Sequence, residues 1–305
     1  MAEDHSDEDA EAIYEVVEQL RGFLRRQCNA LNHAICVLMA SKNYELPDSI
    51  EKNFSLEARE IAPIMVQGVG SSCHTLLLLL GIGKLQTRDC FPIARSIVEG
   101  VVNVCYILAE GDTAARRARE HAFQKSYRDQ KRILETEHAK IAMELKGRPE
   151  AQRIEGLSEA LQKWTTKSGG ERSDWIDLSI HERINIIGRE FGSRTAFDLS
   201  ASSFNIYRHS SEILHGTFFG SLFFFGVTQG EPGRAAIAGH LVVILVSVIH
   251  AVSALLTAVG KYLGASEDNN VFQMVGDRIM NEMREIPYFK DYSEDGSPWN
   301  IRFTF

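Results

Sequence analysis

The sequence predicts an all-α protein, a multi-helix bundle built around a buried and very apolar central helix. In Ala235–Gly260 the only titratable side chains are those of His240 and His250. A helix that is apolar on every side belongs in a protein core or in a membrane. Elsewhere apolar residues recur at intervals of three and four, and no alternating pattern persists, which favours helices over strands. The 305 residues suffice for a large core.

The helices follow one another from the N-terminus, separated by short breaks. An acidic segment, residues 1–12, is predicted to be a flexible tail. Local signals then mark helix starts, such as Pro92 in a first turn and Ser179-Ile-His-Glu182 as a capping box. The predicted helices cover residues 13–39, 55–80, 89–109, 112–145, 149–167, 179–191, 195–215, 234–262 and 270–284. Residues 13–286 therefore form one helical domain, followed by an irregular C-terminal tail, residues 287–305.

Composition favours a globular protein of the cytoplasm. The chain is 44% hydrophobic and 24% charged, and its net charge of −8 argues against indiscriminate coating of nucleic acid. Its five cysteines are odd in number and never spaced as CxxC, which is typical of reduced thiols. The acidic N-terminus lacks the positive charge of a signal peptide. We expect no contact with a membrane; the alternative is one span at residues 235–260, which are long enough to cross a bilayer.

One stretch, Ala201–Gly216, concentrates polar residues on one face of a predicted helix. Arg208, Glu212 and His215 follow at intervals of four and three, so their side chains leave the same side. A guanidinium, a carboxylate and an imidazole are costly to bury unless they satisfy one another. The aromatic run Phe218–Val227 follows directly. These three residues therefore either hold helices together through polar contacts or form a functional site.

Two short motifs resemble the signatures of a bacterial helical family that is classed as a domain of unknown function. The first is Arg95-Ser-Ile-Val-Glu99, an RSxxE motif, and the second is Tyr207-Arg-His-Ser-Ser-Glu-Ile-Leu-His215-Gly216, a YxxxSxxxHG motif. The resemblance covers about residues 60–260. It implies a helical domain in which Arg95, Glu99, Tyr207, Ser211 and His215 converge, and it implies no established activity. We expect the two helices to pack together, because charged groups on apolar faces need partners.

The second motif also resembles the Rx4–6H motif of HEPN ribonucleases, with Arg208 and His215 as its ends and His209 directly after the arginine. The resemblance implies a homodimer that cleaves RNA without a metal or another cofactor. His215 would act on the ribose 2′-hydroxyl, and Arg208 would stabilise the charged phosphorane. The same spacing occurs elsewhere, at Arg26–His33, Arg116–His121, Arg132–His138 and Arg234–His240. Among these matches, only Arg208–His215 occurs together with the Arg95–Glu99 motif, and this favours it over the others.

Two further patterns bear on function. A basic stripe recurs at helical spacing and is either a solvated face or a surface that follows RNA phosphates; it consists of Arg117, His121, Lys125, Arg128 and Arg132. Glu-x-x-His, the spacing of di-iron bundles, occurs at Glu135–His138 and Glu212–His215, with Glu99 and Glu120 as further carboxylates. A chain rich in glutamate produces such matches by chance, so no metal is expected.

Two functions of different classes follow. The first is a HEPN-like, metal-independent endoribonuclease in bacterial stress or phage defence, with Arg208, His215, Glu212, Arg95, Glu99, Tyr207 and Ser211 at its site. The second is a non-catalytic helical module that binds a partner protein, in which the same residues only lock the bundle.

Overall fold

The computed structural model describes residues 3–41, 56–81, 87–225 and 234–290. The predicted loop at 42–53 and most of the C-terminal tail lie outside the described residues. The helices are α1 (Glu3–Ala40), α2 (Leu56–Leu79), α3 (Thr87–Glu110), α4 (Asp112–Asp129), α5 (Leu157–Lys163), α6 (Ile180–Phe191), α7 (Ser193–Leu214), α8 (Phe218–Phe225), α9 (Arg234–Tyr262), α10 (Val271–Arg284) and α11 (Pro287–Lys290). Short 3-10 turns occupy Ala151–Arg153 and Glu267–Asn269. One antiparallel hairpin pairs β1 (Lys131–Glu135) with β2 (Lys140–Glu144).

The centre of the fold is α9, as the sequence predicts. It has the predicted bounds, and residues 241–256 are buried without exception. It packs mainly against four helices, namely α1, α3, α7 and α10. Each fully buried Leu, Ile or Val side chain contributes roughly 1.5–3 kcal/mol relative to an exposed one. The all-α fold with a buried apolar central helix is therefore confirmed.

Several buried polar groups of α9 are hydrogen-bonded to neighbouring helices. Asp198 of α7 lies 2.7 Å from Nδ1 of His250, and both side chains are almost fully buried. The Ser202 hydroxyl donates to the backbone carbonyl of Ser247 at 2.7 Å. On the other side, the Gln27 amide of α1 donates to the Ser253 hydroxyl at 2.8 Å. These bonds fix the rotation of α9 between α1 and α7, because buried polar groups are costly without partners.

Three described helices are long and apolar enough to cross a membrane, whereas the sequence predicts one candidate span. They are Glu57–Leu79, Thr87–Glu110 and Ala236–Tyr262, and their most apolar windows are 44%, 61% and 94% buried within the fold. For the third helix, protein neighbours supply nearly all of the apolar environment.

The structure differs from the predicted elements at the N-terminus and in the middle of the chain. Helix α1 begins at Glu3, so residues 3–12 are helical where a flexible tail is predicted. Helix α4 ends at Asp129, where the sequence predicts a helix to Leu145. Residues 131–144 instead form the hairpin, whose turn is held by Thr136, since its hydroxyl accepts the Ala139 N–H at 3.1 Å. Such local side-chain bonds offer the backbone an alternative to the helix.

Candidate functional site

The two motif helices lie side by side. Helix α3 packs against α7, and Arg95 Nε donates to Glu99 Oε1 at 2.8 Å within α3. The guanidinium of Arg95 lies 4.8 Å from the centre of the Tyr207 ring, which projects from α7. A cation over an aromatic face is attracted by the ring quadrupole. The expected contact between the Arg95–Glu99 helix and the Tyr207 helix is confirmed.

Tyr207 is also hydrogen-bonded to Glu99. Its pKa lies well above the ordinary value, first because the phenol is buried, and then because the Glu99 carboxylate accepts a hydrogen bond from its hydroxyl and repels a phenolate. The positive charges of Arg95 and Arg183 oppose this shift without reversing it. Tyr207 is therefore a neutral hydrogen-bond donor at physiological pH.

Sequence reasoning missed two members of this arrangement, Asn103 and Arg183. A terminal nitrogen of the Arg183 guanidinium, from α6, donates to the Asn103 side-chain oxygen of α3. Asn103 follows Glu99 by four residues, so the interval of four from Arg95 through Glu99 was the signal for it. No pattern in the sequence points to Arg183. We call Arg95, Glu99, Asn103, Arg183 and Tyr207 the α3–α7 polar cluster.

Immediately after Tyr207 the second motif turns to solvent. Arg208 and His215 are both exposed, and the Arg208 guanidinium lies 5.9 Å from the centre of the Phe219 ring. The Glu212 carboxylate accepts a hydrogen bond from the Thr217 hydroxyl at 2.6 Å. Within the described residues, no carboxylate pairs with Arg208 or His215. The second hypothesis expects Arg208, Glu212 and His215 to form a buried network that locks the bundle. Because Arg208 and His215 are exposed, that expectation is wrong.

His215 occupies the end of α7, and the glycine after it explains its position. Gly216 has φ +60°, and its N–H bonds to the Ile213 carbonyl at 3.0 Å. The Thr217 N–H bonds to the Glu212 carbonyl at 3.1 Å, which completes a Schellman motif. A side chain at 216 would strain this conformation. The His-Gly pair thus ends the helix and leaves the imidazole at its exposed last turn.

Ser211 lies on the same side of α7 as Tyr207 and His215, whereas His209 is turned towards α3. Ser211 is half-buried, and its backbone carbonyl accepts the His215 N–H at 3.0 Å. The His209 ring packs edge-on against Phe91 of α3, with centroids 5.7 Å apart. His240 of α9 contacts the same phenylalanine at 6.1 Å. Burial lowers the pKa of His240 to about 4, with a further contribution from His209.

The predicted basic stripe is largely occupied by internal contacts. His121 is buried and its Nε2 lies 3.1 Å from the Arg172 carbonyl. Arg117 pairs with Asp177 at 3.0 Å, and Arg128 donates to the Thr165 hydroxyl at 2.6 Å. These contacts fasten α4 to residues 161–177.

The other two members of the stripe, Lys125 and Arg132, are exposed but lie near carboxylates. Lys125 is 3.7 Å from Glu171, and Arg132 is 3.8 Å from Asp129. Arg132 lies in β1, so it does not continue the helical stripe. Binding of RNA by the stripe stays a prediction, with less free charge available than the sequence indicates.

The described residues do not have the arrangement that the di-metal alternative needs, with Glu-x-x-His motifs on two helices of a bundle. Glu135 ends β1, and His138 lies in the turn that follows, so this Glu-x-x-His is not on a helix of the bundle. Glu99 and Glu120 are engaged with Arg95 and Lys163. Across the described ranges, no group of three or more His, Cys, Asp and Glu side chains is arranged to hold a metal ion.

Comparison with curated proteins and with solved structures gives no match for this chain. A family of unknown function, DUF5677, matches residues 69–232. That range is more than half of the chain and includes both motif helices and the α3–α7 polar cluster. The chain belongs to this family of unknown function.

Proposed function

We propose that the protein is a HEPN-like, metal-independent endoribonuclease that acts as a homodimer in the bacterial cytoplasm, in stress or phage defence. One observation carries the proposal. Arg208 and His215 lie seven residues apart on one face of α7, both exposed, and no described carboxylate neutralises either. A structural pair would be buried or paired, whereas groups that handle a phosphodiester must be accessible to it.

The chemistry requires one proton acceptor and one proton donor. The His215 imidazole would remove the proton of the ribose 2′-hydroxyl, which then attacks the adjacent phosphorus and leaves a 2′,3′-cyclic phosphate. The Arg208 guanidinium would stabilise the charge on the phosphorane oxygens. A second protomer would supply the imidazole that protonates the leaving 5′-oxygen.

The remaining motif residues have positioning roles in this proposal. Glu212, through its bond to Thr217, holds the turn between α7 and α8. Tyr207, through Glu99 and Arg95, fixes the rotation of α7 against α3. The outer face of α7 is thereby held in one orientation, which general acid–base chemistry needs.

The test uses the full chain with end-labelled single-stranded RNA in the presence of EDTA. We expect cleavage that leaves cyclic phosphate ends, and a loss of roughly 10²–10⁴-fold in rate for His215→Ala. The matched control is His181→Ala, since His181 is also an exposed histidine at the end of a helix, in the first turn of α6. Intact RNA with the wild type, equal cleavage by His215→Ala, or cleavage abolished by EDTA would overturn the proposal.

A second candidate, a helical module that binds a partner protein, is favoured by the apolar side chains around the same face. Phe204 is 85% exposed and Phe218 is 76% exposed. Exposed apolar patches mark interaction surfaces, and these two phenylalanines flank the Arg208–His215 segment in the sequence. In this case Phe204→Glu would abolish capture of the partner, while His215→Ala would leave it unchanged and RNA would stay intact.

A further inference from the structure

The hairpin β1–β2 is the most exposed part of the described fold. Every residue of both strands is exposed. Its apolar side chains are not covered either: Leu134 is 58%, Ile141 is 61% and Met143 is 56% exposed. An isolated two-stranded hairpin is only marginally stable in water, and further strands stabilise it. The hairpin therefore has an exposed apolar face and exposed strand edges that another strand could pair with.

The hydrogen-bond pattern shows which backbone groups form the free edge. The Leu145 N–H bonds to the Gln130 carbonyl at 2.8 Å, and the Thr136 N–H bonds to the Ala139 carbonyl at 2.8 Å. Bonded pairs alternate along an antiparallel ladder. In the register observed, the bonded pairs between these ends are Arg132 with Met143 and Leu134 with Ile141. The backbone N–H and C=O groups of residues 140, 142 and 144 therefore point away from β1.

We propose that this outer edge of β2 pairs with β2 of a second copy of the chain, antiparallel and centred on Ala142, to form a four-stranded sheet. In that register Lys140 lies opposite Glu144 of the second copy, and Ala142 lies opposite its equivalent. The free groups of residues 140, 142 and 144 then meet their counterparts as bonded pairs. The two-fold axis repeats every contact, as a closed dimer requires.

Charge complementarity supports this occupant. Within one hairpin Lys140 pairs with Glu135 at 2.9 Å, and Lys131 pairs with Glu144 at 3.1 Å. Across the joined sheet the row becomes Glu135, Lys140, then Glu144 and Lys131 of the second copy, with alternating sign throughout. Opposite charges on directly opposed strand residues stabilise a sheet, and like charges destabilise it.

The apolar face favours the β2 edge over the β1 edge. Pairing through β2 brings Ile141 beside Met143 of the second copy, which extends the exposed apolar face across the dimer. Pairing through β1 about Ile133 would instead bring Leu134 beside Arg132. An edge lysine commonly discourages pairing. Here Lys140 meets a glutamate in the register centred on Ala142, so its charge favours that register over the other symmetric ones.

The decisive experiment mixes two charge variants of the full chain, Lys140→Glu and Glu144→Lys, and measures association by sedimentation. Each variant alone opposes like charges twice in its own dimer, so we expect dimerisation weakened by about tenfold or more. In the heterodimer formed by an equimolar mixture, the two substituted side chains face each other with opposite charges at one end. The unchanged Lys140 and Glu144 face each other at the other end. The heterodimer should therefore bind more tightly than either variant alone but less tightly than the wild type, because the glutamate introduced at position 140 still faces Glu135 and the lysine introduced at position 144 still faces Lys131 within the substituted hairpins.

A cross-link checks the register. Ala142→Cys in a Cys36→Ser background should form a disulfide between copies under mild oxidation by air, because bonded antiparallel residues are about 5.5 Å apart at Cα. Ile133→Cys in the same background is the control, since it is exposed on the β1 edge and should not cross-link. Far-ultraviolet circular dichroism verifies that each variant is folded.

Several outcomes would overturn the proposal. The wild type could stay monomeric, or its dimerisation could be unchanged by both charge substitutions. Mixing the two variants could fail to restore any affinity, or Ile133→Cys could cross-link as readily as Ala142→Cys. The hairpin carries neither Arg208 nor His215, so the two proposals concern different surfaces, and a monomeric wild type would count against both. A dimer that ignores the hairpin variants but cleaves RNA would remove this proposal and leave the other standing.

Discussion

The inner and outer faces of α7 both carry polar residues, yet their surroundings are opposite. On the inner face, Asp198 binds His250 and Ser202 binds the Ser247 carbonyl, all within the core. On the outer face, Arg208 and His215 point to solvent. Burial forces each inner group to find a partner, because an unpaired buried charge is very costly. The outer residues have no such structural obligation, so they are accessible for the role proposed above.

Tyr207 lies at the boundary between the two faces. It is half-buried, bonded to Glu99 and covered by Arg95, and it directly precedes the exposed Arg208. The two ends of the YxxxSxxxHG motif therefore have different surroundings along α7. Its tyrosine holds α7 against α3, and its histidine reaches solvent beyond the packed region.

The largest effect on stability is expected at the inner face. Asp198→Ala removes the partner of the buried His250 and should lower the free energy of unfolding by about 3–5 kcal/mol. Urea unfolding followed by circular dichroism measures the change. Ser200→Ala, at an exposed position of the same helix, is the control and should change stability by less than about 0.5 kcal/mol. A loss of similar size in both variants would contradict the assignment of Asp198 as a buried partner.

A smaller, pH-dependent effect is expected where α7 and α9 meet at Phe91. Burial lowers the pKa of His240 from 6.5 to about 4. The unfolded chain therefore binds a proton that the folded chain does not, so stability is lost as the pH falls from 6.5 towards 4. His240→Phe keeps an aromatic ring against Phe91 and should lose less stability over this window. Unfolding curves at several pH values measure the difference, and the exposed His181→Phe should behave as the wild type does.

The sequence predicted the elements whose pattern is set by burial. The bounds of α9 follow from an unbroken apolar run, and the contact of α3 with α7 follows from charges placed on apolar faces. The capping box at Ser179 is confirmed by both of its hydrogen bonds. Each of these features is local in the sequence, or is forced by the cost of burying charge.

The sequence failed where a tertiary partner decides the outcome. Residues 131–145 keep a spacing compatible with a helix, but cross-strand ion pairs and the Thr136 turn favour the hairpin. The basic stripe looked like a solvated face because its partners, among them Asp177 and Glu171, come from a distant segment. Arg183 reaches the α3–α7 polar cluster from α6 for the same reason. The spacing of residues along one helix does not predict partners that come from other segments of the chain.

At the boundary residue, Tyr207→Phe should lower the free energy of unfolding by about 1 kcal/mol at neutral pH, through loss of the hydrogen bond to Glu99. The raised pKa of Tyr207 adds a second signature. The unfolded tyrosine ionises near its ordinary pKa of about 10 while the folded one stays neutral, so the wild type loses stability above that pH. Tyr207→Phe should show a flatter alkaline decline. Equal alkaline slopes for the two proteins would contradict the buried, Glu99-bonded phenol.

The smallest effect on stability is expected on the outer face. Arg208→Ala and His215→Ala remove exposed side chains that have no described carboxylate partner, so His215→Ala should change the free energy of unfolding by less than about 0.5 kcal/mol and Arg208→Ala by at most about 1 kcal/mol. Arg208 also loses its contact over Phe219 at 5.9 Å, which makes it the more sensitive of the two, because exposed cation–π contacts contribute at most about 1 kcal/mol. Thermal melts of both variants, recorded beside Asp198→Ala, measure the contrast between the faces. If either outer variant were as unstable as Asp198→Ala, the outer face would have a structural role after all, and a loss of RNA cleavage in that variant would say nothing about chemistry. If both melt as the wild type does, any lost activity can be attributed to the guanidinium or the imidazole itself.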